Sequence, residues 1–202
     1  MKILLIRHAD CLQEGFDPEI SQLGTIQAKL LAKRLSKIPI SMVYVSDLKR
    51  TVQTFEEYHQ IVKKISFEKT KDIREIYRVL VGGAPKEGTS KNREKEDKER
   101  IEKFFKKLIS KDHGQIVAIF THGNVIKYML SKFLDSDPLR LGPRVSILSA
   151  GITLVDFNNG KVDVKFVNNI EHLTDLDSSN NYMVTGKKET YASWQLEILN
   201  SL

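Results

Sequence analysis

The sequence predicts an α/β fold: a three-layer α/β/α sandwich whose central sheet is mostly parallel and has an antiparallel edge. Strand-length apolar runs alternate with segments of helical periodicity in the order β-α-β-α-β-α-β-α-β-β, which is typical of parallel sheets covered by helices. Two of these runs, residues 3–6 and 116–120, contain apolar residues only. Such runs indicate central strands that are covered on both faces.

The first half of the chain supplies three strands and two helices. Residues 2–7 form the first strand, residues 41–45 the second and residues 65–69 a shorter third. Residues 21–37 repeat apolar side chains every 3.6 positions and predict a helix that Pro39 ends, the repeat being Leu23, Ile26, Leu30, Leu31 and Leu35. A second helix is predicted next. Ser46 or Asp47 caps its N-terminus, and it ends at about Lys63.

The second half begins with a loop at residues 82–90, which are rich in glycine, and continues with a charged helix. Residues 91–107 carry eight basic and five acidic side chains, and one apolar stripe predicts that this helix is solvated on its other face. The stripe consists of Ile101, Phe104, Phe105, Leu108 and Ile109. A strand at 115–120 and a helix at 124–134 follow.

An antiparallel pair of strands is expected near the end of the chain. Residues 146–157 and 161–167 flank Asn158-Asn159-Gly160, a sequence typical of a hairpin turn. Tyr191 to Leu202 predict an amphipathic helix packed on the body or on a partner.

Composition excludes several classes of protein. The chain has 202 residues, a net charge of +6, 41% hydrophobic and 29% charged residues, which indicates one globular domain over residues 1–202. A single cysteine, Cys11, excludes an intrachain disulfide framework and a thiolate zinc site. No segment reaches the ~18 apolar residues of a membrane span, and the short N-terminal apolar run favours a first strand and a cytoplasmic protein over a signal peptide.

Charged and imidazole side chains come after the predicted strands, where each one ends. Arg7 and His8 close the first strand, Arg50 lies just after the second, Glu75 follows the third, and His122 follows the strand at 115–120. The carboxyl ends of parallel strands meet at one edge of a sheet, where open α/β proteins place their functional crevice. The five side chains are therefore expected to converge.

Two arginines, two histidines and a glutamate suit phosphoryl transfer through a phosphohistidine. Arginine offers forked donors that match phosphate oxygens, and a neutral histidine can act as a nucleophile. Gly123, next to His122 and before a helix, allows a close backbone approach to an anion. Cationic side chains would take the part that Mg²⁺ plays elsewhere, so neither a metal nor a cofactor is expected.

Other phosphate and hydrolase chemistries fit the sequence poorly. A cysteine phosphatase needs an arginine six positions after its cysteine, where this chain has Asp17. A P-loop needs a lysine after its second glycine, but Thr89 follows Gly88. No His-Glu-x-x-His motif is present, so a zinc hydrolase is unsupported.

Five short motifs, in order along most of the chain, resemble the histidine phosphatase superfamily of phosphoglycerate mutase-like fold. They are LIRHAD at 5–10, SQLGTIQA at 21–28, SDLKRTVQT at 46–54, DIRE at 72–75 and THGNVIKYML at 121–130. Within it, residues 121–155 look most like the protein phosphatase branch called phosphoglycerate mutase family member 5.

The resemblance implies a role for each residue of the predicted site. His8 would take the phosphoryl group, and Glu75 would protonate the leaving oxygen and then activate water. The phosphate oxygens would be bound by Arg7, Arg50 and His122, together with a backbone N–H near Gly123.

The chain departs from the mutases of this family at several positions. Glu14 stands where mutases carry a polar phosphate contact, and Ile76-Tyr77-Arg78 replaces the His-Tyr-Gly that follows their glutamate. The substrate-side insertion, about residues 78–98, is short and polar, which favours hydrolysis by water over retention of a diphosphate intermediate. Arg78 and Lys86, on this insertion, are expected to contact the anionic part of the substrate.

We therefore expect a metal-independent phosphomonoesterase acting on a small phosphorylated metabolite or a phosphoprotein, with no nucleic-acid or membrane partner. A phosphoglycerate mutase that uses the same phosphohistidine remains an alternative, as does a binding module for phosphorylated ligands without catalysis. Homodimerisation through the C-terminal segment is compatible with the sequence.

Overall fold

A central sheet of six strands organises the computed structural model, which describes residues 1–87, 92–110, 116–158 and 160–176. The strands run in the order β3-β2-β4-β1-β5-β6. Their bounds are β1 Lys2–Arg7, β2 Ile40–Ser46, β3 Ser66–Thr70, β4 Ile116–Thr121, β5 Ile152–Asn158 and β6 Lys161–Asn169. The first four are parallel, whereas β5 and β6 pair antiparallel at one edge, which confirms the predicted fold class.

Helices cover both faces of the sheet. They are α1 Gln22–Leu35, α2 Lys49–Ile61, α3 Arg93–Ile109, α4 Gly123–Phe133 and the short α5 Pro138–Leu141. Single 3-10 turns occupy Lys71–Ile73, Arg78–Val81, Gly142–Arg144 and Glu171–Leu176. Within the described ranges, no helix is long and apolar enough to span a membrane.

Alternation along the strands creates two hydrophobic cores. In β1, Ile3 and Leu5 pack with α3 and α4, whereas Leu4 and Ile6 pack with α1 and α2. Strand β4 alternates in the same way. Because both faces of each central strand are buried, the strands need uninterrupted apolar runs, and this is the pattern that the sequence carries.

The register of the sheet brings the ends of four strands level. Arg7 of β1 pairs with Thr121 of β4, and Ser46 of β2 pairs with Thr70 of β3. The residues that directly follow these positions therefore leave the sheet at one edge, and that edge carries the candidate site.

The face that helix α1 turns to the core matches the predicted one in part, since Leu31 and Leu35 are buried as expected. Ile26 is 43% exposed, although it belongs to the predicted apolar repeat. The buried positions include Gly24 and Gln27. Gly24 packs against the loop after β1, where an added Cβ would stand 2.0 Å from the carbonyl oxygen of Asp10. Gln27 accepts a 2.8 Å hydrogen bond from the Asp10 amide, which compensates the burial of its amide group.

The predicted cap of α2 is wrong. Leu48 occupies the N-cap position and makes no side-chain capping bond. Ser46 is instead bonded to a histidine of the site, at 2.8 Å from His122 Nε2, and the Asp47 carboxylate accepts two bonds from Arg74. Both capping candidates are thus used in tertiary contacts.

The predicted strand at 146–157 begins six residues too early. Ala150 has a left-handed backbone (φ 57°), and the Gly151 amide donates back to the Leu148 carbonyl at 3.0 Å. This turn ends the extended conformation, so β5 begins at Ile152. Just upstream, α5 was not predicted, although Asp137 caps it and Pro138 starts it, as is usual for helix N-termini.

Some predictions lie outside the described residues. The second hairpin residue, Asn159, and the helix expected at 191–202 are among them. The flanking hairpin pair Asn158–Lys161 is present, and Gly160 has a φ of +76°.

Replacing Leu31 by alanine should destabilise the protein much more than the same change at Ile26. Leu31 is fully buried, whereas Ile26 on the same helix is 43% exposed. We expect L31A to lower the free energy of unfolding by about 2–4 kcal/mol and I26A by less than about 1 kcal/mol. Urea unfolding followed by circular dichroism measures both, and equal losses would contradict the assigned helix face.

Candidate functional site

Arg50 joins two histidines at the carboxyl edge of the sheet. It lies in the first turn of α2, and its Nε donates to His8 Nε2 at 3.2 Å while its Nη2 donates to His122 Nδ1 at 3.2 Å. His8 directly follows β1, and His122 directly follows β4. All three residues are buried. The predicted convergence of these side chains is therefore present.

The His8 ring is held as a neutral tautomer whose Nε2 lone pair points at Arg50. Its Nδ1 lies 2.7 Å from the Ala9 carbonyl oxygen, which can only accept, so Nδ1 carries the proton and Nε2 accepts from Arg50. Burial, reinforced by the charge of Arg7, lowers the pKa of His8 to about 3. The ring is thus uncharged at neutral pH.

His122 is neutral for similar reasons, but its two nitrogens have the reverse roles. Its Nδ1 accepts from Arg50, so Nε2 carries the proton and donates to Ser46 Oγ at 2.8 Å. Complete burial, followed by the proximity of His8 and Arg50, holds its pKa well below the ordinary value. The hydrogen bond between His122 Nδ1 and Arg50 positions the guanidinium beside His8.

Arg7 brings a second guanidinium to the same edge. Its Nη1 donates to the carbonyl of Ile147. Ile147 lies just before β5, in the segment that the sequence predicted as the start of that strand. Its Nε is buried without a hydrogen-bond partner among the described residues. Gly123 faces this side chain, since an added Cβ there would stand 3.6 Å from Arg7 Nε. A buried, unsatisfied N–H is costly, and an anionic oxygen would satisfy it.

Glu75 is the titratable acid of the site. Burial raises the pKa of its carboxyl group to about 7, although Arg50 and Arg7 pull the pKa in the opposite direction. The backbone amides of Ile76 and Asn124 also donate to the carboxylate. The carboxyl group can therefore exist in both protonation states near neutral pH. A residue that first donates and then accepts a proton needs this property.

The loop that carries Glu75 is clamped by charged side chains. Arg100 Nη1 donates to the carbonyls of Lys71 and Asp72 at 2.9 Å and to that of Arg74 at 3.2 Å. Its Nη2 bonds to Asp97 Oδ1 at 2.6 Å. These bonds tie the loop to α3, where Arg100 and Asp97 lie.

Asp97 connects the clamp to the residues just after Glu75. Its Oδ2 accepts from the Tyr77 amide at 2.8 Å and lies 3.3 Å from Arg93 Nε. The carboxylate is buried (7% exposed) between two guanidinium groups and one amide, and such pairing is what makes a buried charge tolerable.

A cleft of about 640 Å³ opens beside this machinery. Of the residues predicted to contact the substrate or act on it, Arg50, Glu75, Arg78 and Lys86 line it, together with Asn124 at the start of α4. The lining does not include Arg7, His8, His122 or Gly123. His8 and His122 are connected to the cleft through Arg50, which bonds to both. Arg78 is exposed on the wall of the cleft.

The segment after β1 forms part of the rim. Gly15 and Phe16 line the cleft, and Phe16 is 86% exposed. Glu14 beside them is also exposed, so this acid need not face a bound phosphate. Within the described ranges, no cluster of three or more His, Cys, Asp or Glu side chains could hold a metal ion.

Several supporting residues are not predicted from the ends of the strands. Thr54 on α2 accepts from the Ala9 amide at 2.9 Å and so fixes the backbone beside His8. Ser46 holds His122, while Asp97 and Arg100 hold the Glu75 loop. Asp97 and Arg100 belong to the helix whose charges predict only a solvated face, so no pattern in the sequence separates them from their neighbours.

Comparison with known proteins gives a family match. The family model described as histidine phosphatase superfamily (branch 1) matches residues 3–97 and 83–170. A relative in Schizosaccharomyces pombe, named a "probable phosphatase", is 26% identical over 77% of this chain and 87% of its own length.

A second relative belongs to the branch indicated by residues 121–155. The mitochondrial serine/threonine-protein phosphatase Pgam5 of Drosophila mojavensis is 32% identical over 82% of this chain, which spans 62% of that relative's length. Among solved structures, a phosphoserine phosphatase mutant from Entamoeba histolytica in complex with phosphoserine superposes with a TM-score of 0.68 at 19% identity. That alignment covers 85% of this chain and 98% of the other.

Replacing Asp97 by asparagine should loosen the clamp on the Glu75 loop. The change removes the negative charge from between Arg93 and Arg100, and breaking a buried ion pair costs about 3 kcal/mol or more. We expect D97N to lower the free energy of unfolding by about that amount in urea. D72N, at an exposed aspartate on the same loop, is the control and should change stability by less than about 0.5 kcal/mol; a D97N protein as stable as D72N would contradict the clamp.

Proposed function

This chain belongs to the histidine phosphatase superfamily, branch 1, and we propose that it hydrolyses phosphomonoesters through a covalent phosphohistidine on His8, with no metal ion. The observation that carries the proposal is the state of the His8 ring. It is buried and neutral, with Nδ1 occupied by the Ala9 carbonyl and the Nε2 lone pair directed at a cation. This is a nucleophile that needs no base to activate it.

In the first step, His8 Nε2 attacks phosphorus and the bond between phosphorus and the ester oxygen breaks. Arg7 and Arg50 neutralise the charge on the phosphoryl oxygens, as forked donors to phosphate do. The buried Nε of Arg7 gains a partner in this arrangement. The backbone N–H of Gly123, at the N-terminus of α4, adds a further donor, and His122 keeps Arg50 in place.

Glu75 moves the protons in both steps. Its protonated form gives a proton to the leaving oxygen, so that an alcohol departs. The carboxylate then takes a proton from the water that attacks phosphohistidine, and inorganic phosphate leaves with His8 restored. A pKa of about 7 suits a group that acts as an acid and then as a base.

Water is the proposed acceptor, rather than a second phosphoglycerate. Hydrolysis agrees with the phosphatase names of the relatives in yeast and Drosophila. The mutase alternative shares the phosphohistidine and differs only in the acceptor, so conversion of 3-phosphoglycerate measured against release of free phosphate separates the two. A binding module without catalysis would not need both His8 and Glu75 in working positions.

Small phosphorylated metabolites and phosphorylated side chains of proteins are the proposed substrates. A solved neighbour was crystallised with phosphoserine, and a relative is named a serine/threonine-protein phosphatase, so both kinds of substrate belong in a test panel. A cytoplasmic location and a homodimer, expected from the sequence, remain predictions.

Replacing His8 by alanine should abolish phosphate release, because the change removes the proposed nucleophile. We expect a loss of at least about 10³-fold in phosphate release from an aryl phosphate, assayed with EDTA present. H59A is the matched control, since His59 lies near the end of α2, away from the site, and should keep full activity. Substantial turnover in H8A would overturn the nucleophile assignment, and loss of wild-type activity in EDTA would overturn metal independence.

Replacing Glu75 by glutamine should slow poor leaving groups far more than good ones. An alkyl phosphate needs a proton at its leaving oxygen, whereas a nitrophenolate leaves without one. We expect E75Q to lose about 10²–10⁴-fold in the rate of His8 phosphorylation by alkyl phosphates and much less with p-nitrophenyl phosphate. Equal losses on both substrates would show that Glu75 is not the acid.

The same variant should also lose part of the pH dependence. Wild-type phosphorylation by an alkyl phosphate needs protonated Glu75, whose pKa is about 7, so this rate should fall as the pH rises through 7. In E75Q the part of the decline that comes from Glu75 should be absent. Ionisation of the substrate is common to both proteins and cancels in the ratio of their rates, which rapid-quench measurements provide.

A further inference from the structure

The turn at residues 146–151 holds Arg7 at two points. The Arg7 side chain donates from Nη1 to the carbonyl of Ile147, and its amide donates to the carbonyl of Gly151 at 3.2 Å. Within the described part of the chain, no salt bridge and no other hydrogen bond holds the guanidinium, whose Nε is buried without a partner. The place of the Arg7 guanidinium therefore depends on the conformation of this turn.

The turn contains an unfavourable backbone conformation. Ala150 has a φ of 57°, in the left-handed region that a residue with a Cβ avoids. A backbone hydrogen bond from the Gly151 amide to the Leu148 carbonyl, at 3.0 Å, closes the turn, and the Ala150 amide donates outward to the carbonyl of His8 at 3.1 Å. Such a conformation persists only where the surrounding structure stabilises it, so contacts from outside the turn are required.

Asn168 of β6 supplies such a contact. Its Oδ1 accepts a hydrogen bond from the Leu148 amide at 2.7 Å, and the residue is buried. An added Cβ at Gly151 would stand 2.3 Å from the same oxygen, so the amide group of Asn168 packs directly on the turn. The backbone of Asn168 is held as well, because its N–H donates to Thr153 Oγ1 at 3.0 Å.

A bulge in the sheet accounts for the direction of the Asn168 side chain. Ile152 of β5 pairs with Asn169 of β6. Two residues further along β5, Leu154 pairs with Phe166, so β6 carries one extra residue in this interval. Asn168 lies there with a φ of 54°, a conformation that asparagine adopts more readily than most residues. Bulges commonly re-aim a side chain beside a functional site, and this one directs Asn168 to the turn.

We propose that Asn168 is a positioning residue, which fixes the turn at 146–151 and thereby sets the Arg7 guanidinium where it binds the phosphoryl group. This inference rests on the proposed function, because it takes Arg7 to bind the phosphoryl oxygens. The hydrogen bonds of Asn168 go to Leu148 and Thr153 and not to Arg7. Its effect therefore reaches the anion through the turn.

A small displacement of the turn is expected to have a large effect. The forked donors of a guanidinium bind two oxygens only in a fixed geometry, and a shift of about 1 Å in a catalytic group can cost about 10²-fold in rate. The carbonyl of Ile147 is the side-chain anchor of Arg7, so a shift of this carbonyl moves the guanidinium with it.

The first test replaces Asn168 by glycine, which tolerates the left-handed backbone and removes the side-chain acceptor. We expect hydrogen exchange of the Leu148 amide to become at least about tenfold faster. The dissociation constant of inorganic phosphate, measured by phosphorus NMR titration, should rise about tenfold.

A second variant acts on the same contact from the other side. T153V keeps the size of the side chain and removes the hydroxyl that holds the backbone of Asn168. We expect it to raise the dissociation constant of phosphate about threefold. Unchanged affinity for phosphate in either folded variant would overturn the proposal.

L108A is the control for a general loss of stability. Leu108 is buried near the C-terminal end of α3, beside Tyr44 of β2, a strand that β4 and β1 separate from β5. We expect L108A to lower the midpoint of urea unfolding at least as far as N168G does, since it leaves a cavity in the core. Its dissociation constant for phosphate should stay within about twofold of the wild-type value. Equal weakening of phosphate binding by L108A would refute a positioning role.

A double-mutant cycle tests whether Asn168 acts through Arg7. In R7Q, which has no guanidinium to position, adding N168G should raise the dissociation constant of phosphate by less than about twofold, against about tenfold in the wild-type background. A purely structural role would give the same factor in both backgrounds. A tenfold rise in both would therefore overturn the assignment.

Phosphate release separates this inference from the proposed function. We expect N168G to lower kcat/KM for an aryl phosphate at least about tenfold, because the contact with Arg7 is kept in the transition state. Weaker phosphate binding by N168G, in a protein whose wild type releases no phosphate from any ester, would overturn the proposed function and leave the positioning role standing. Equal phosphate release by N168G and the wild type would overturn the positioning role alone, and failure of the wild type to bind phosphate would overturn both.

Discussion

The permanent positive charge of Arg50, buried between two imidazole rings, constrains the rest of the site. A guanidinium has only donors and keeps its proton in proteins, so each ring must turn a lone pair toward it. His8 and His122 meet this demand with opposite nitrogens, and the Ala9 carbonyl and Ser46 hold the remaining ring protons. The same charge that would bind phosphate thus also orients both rings, while burial, reinforced by Arg7, keeps the ring of His8 neutral.

Glu75 is subject to two opposed influences, and the loop that carries it decides their balance. Burial raises its pKa while Arg50 and Arg7 lower it, so a small displacement of the carboxyl group would change the result. Arg100 and Asp97 prevent such displacement by binding three carbonyls and one amide of the surrounding loop. In the proposed mechanism these two residues would act only by positioning Glu75.

Much of this arrangement could be predicted because parallel strands end at a common edge. Arg7, His8, Arg50 and His122 each follow a strand closely, and the apolar runs that define those strands are easy to recognise. The prediction failed where local preference and tertiary contact disagree. Ile26 continues the apolar repeat of α1 but is exposed to solvent. Asp47 is a good helix-capping residue, but its carboxylate is bonded to Arg74.

The amino-acid sequence was sufficient for the class of fold, the edge of the sheet that carries the candidate site and the side chains that meet there. Those properties depend on short-range order: runs of apolar residues, their period, and the polar residues at the end of each run. Only the folded chain shows the tautomers of the two histidines and the raised pKa of Glu75. It also shows that charged residues on α3 clamp the loop that carries Glu75. They depend on burial and on contacts between residues far apart in the chain, such as Glu75 and Asn124, which no local pattern records.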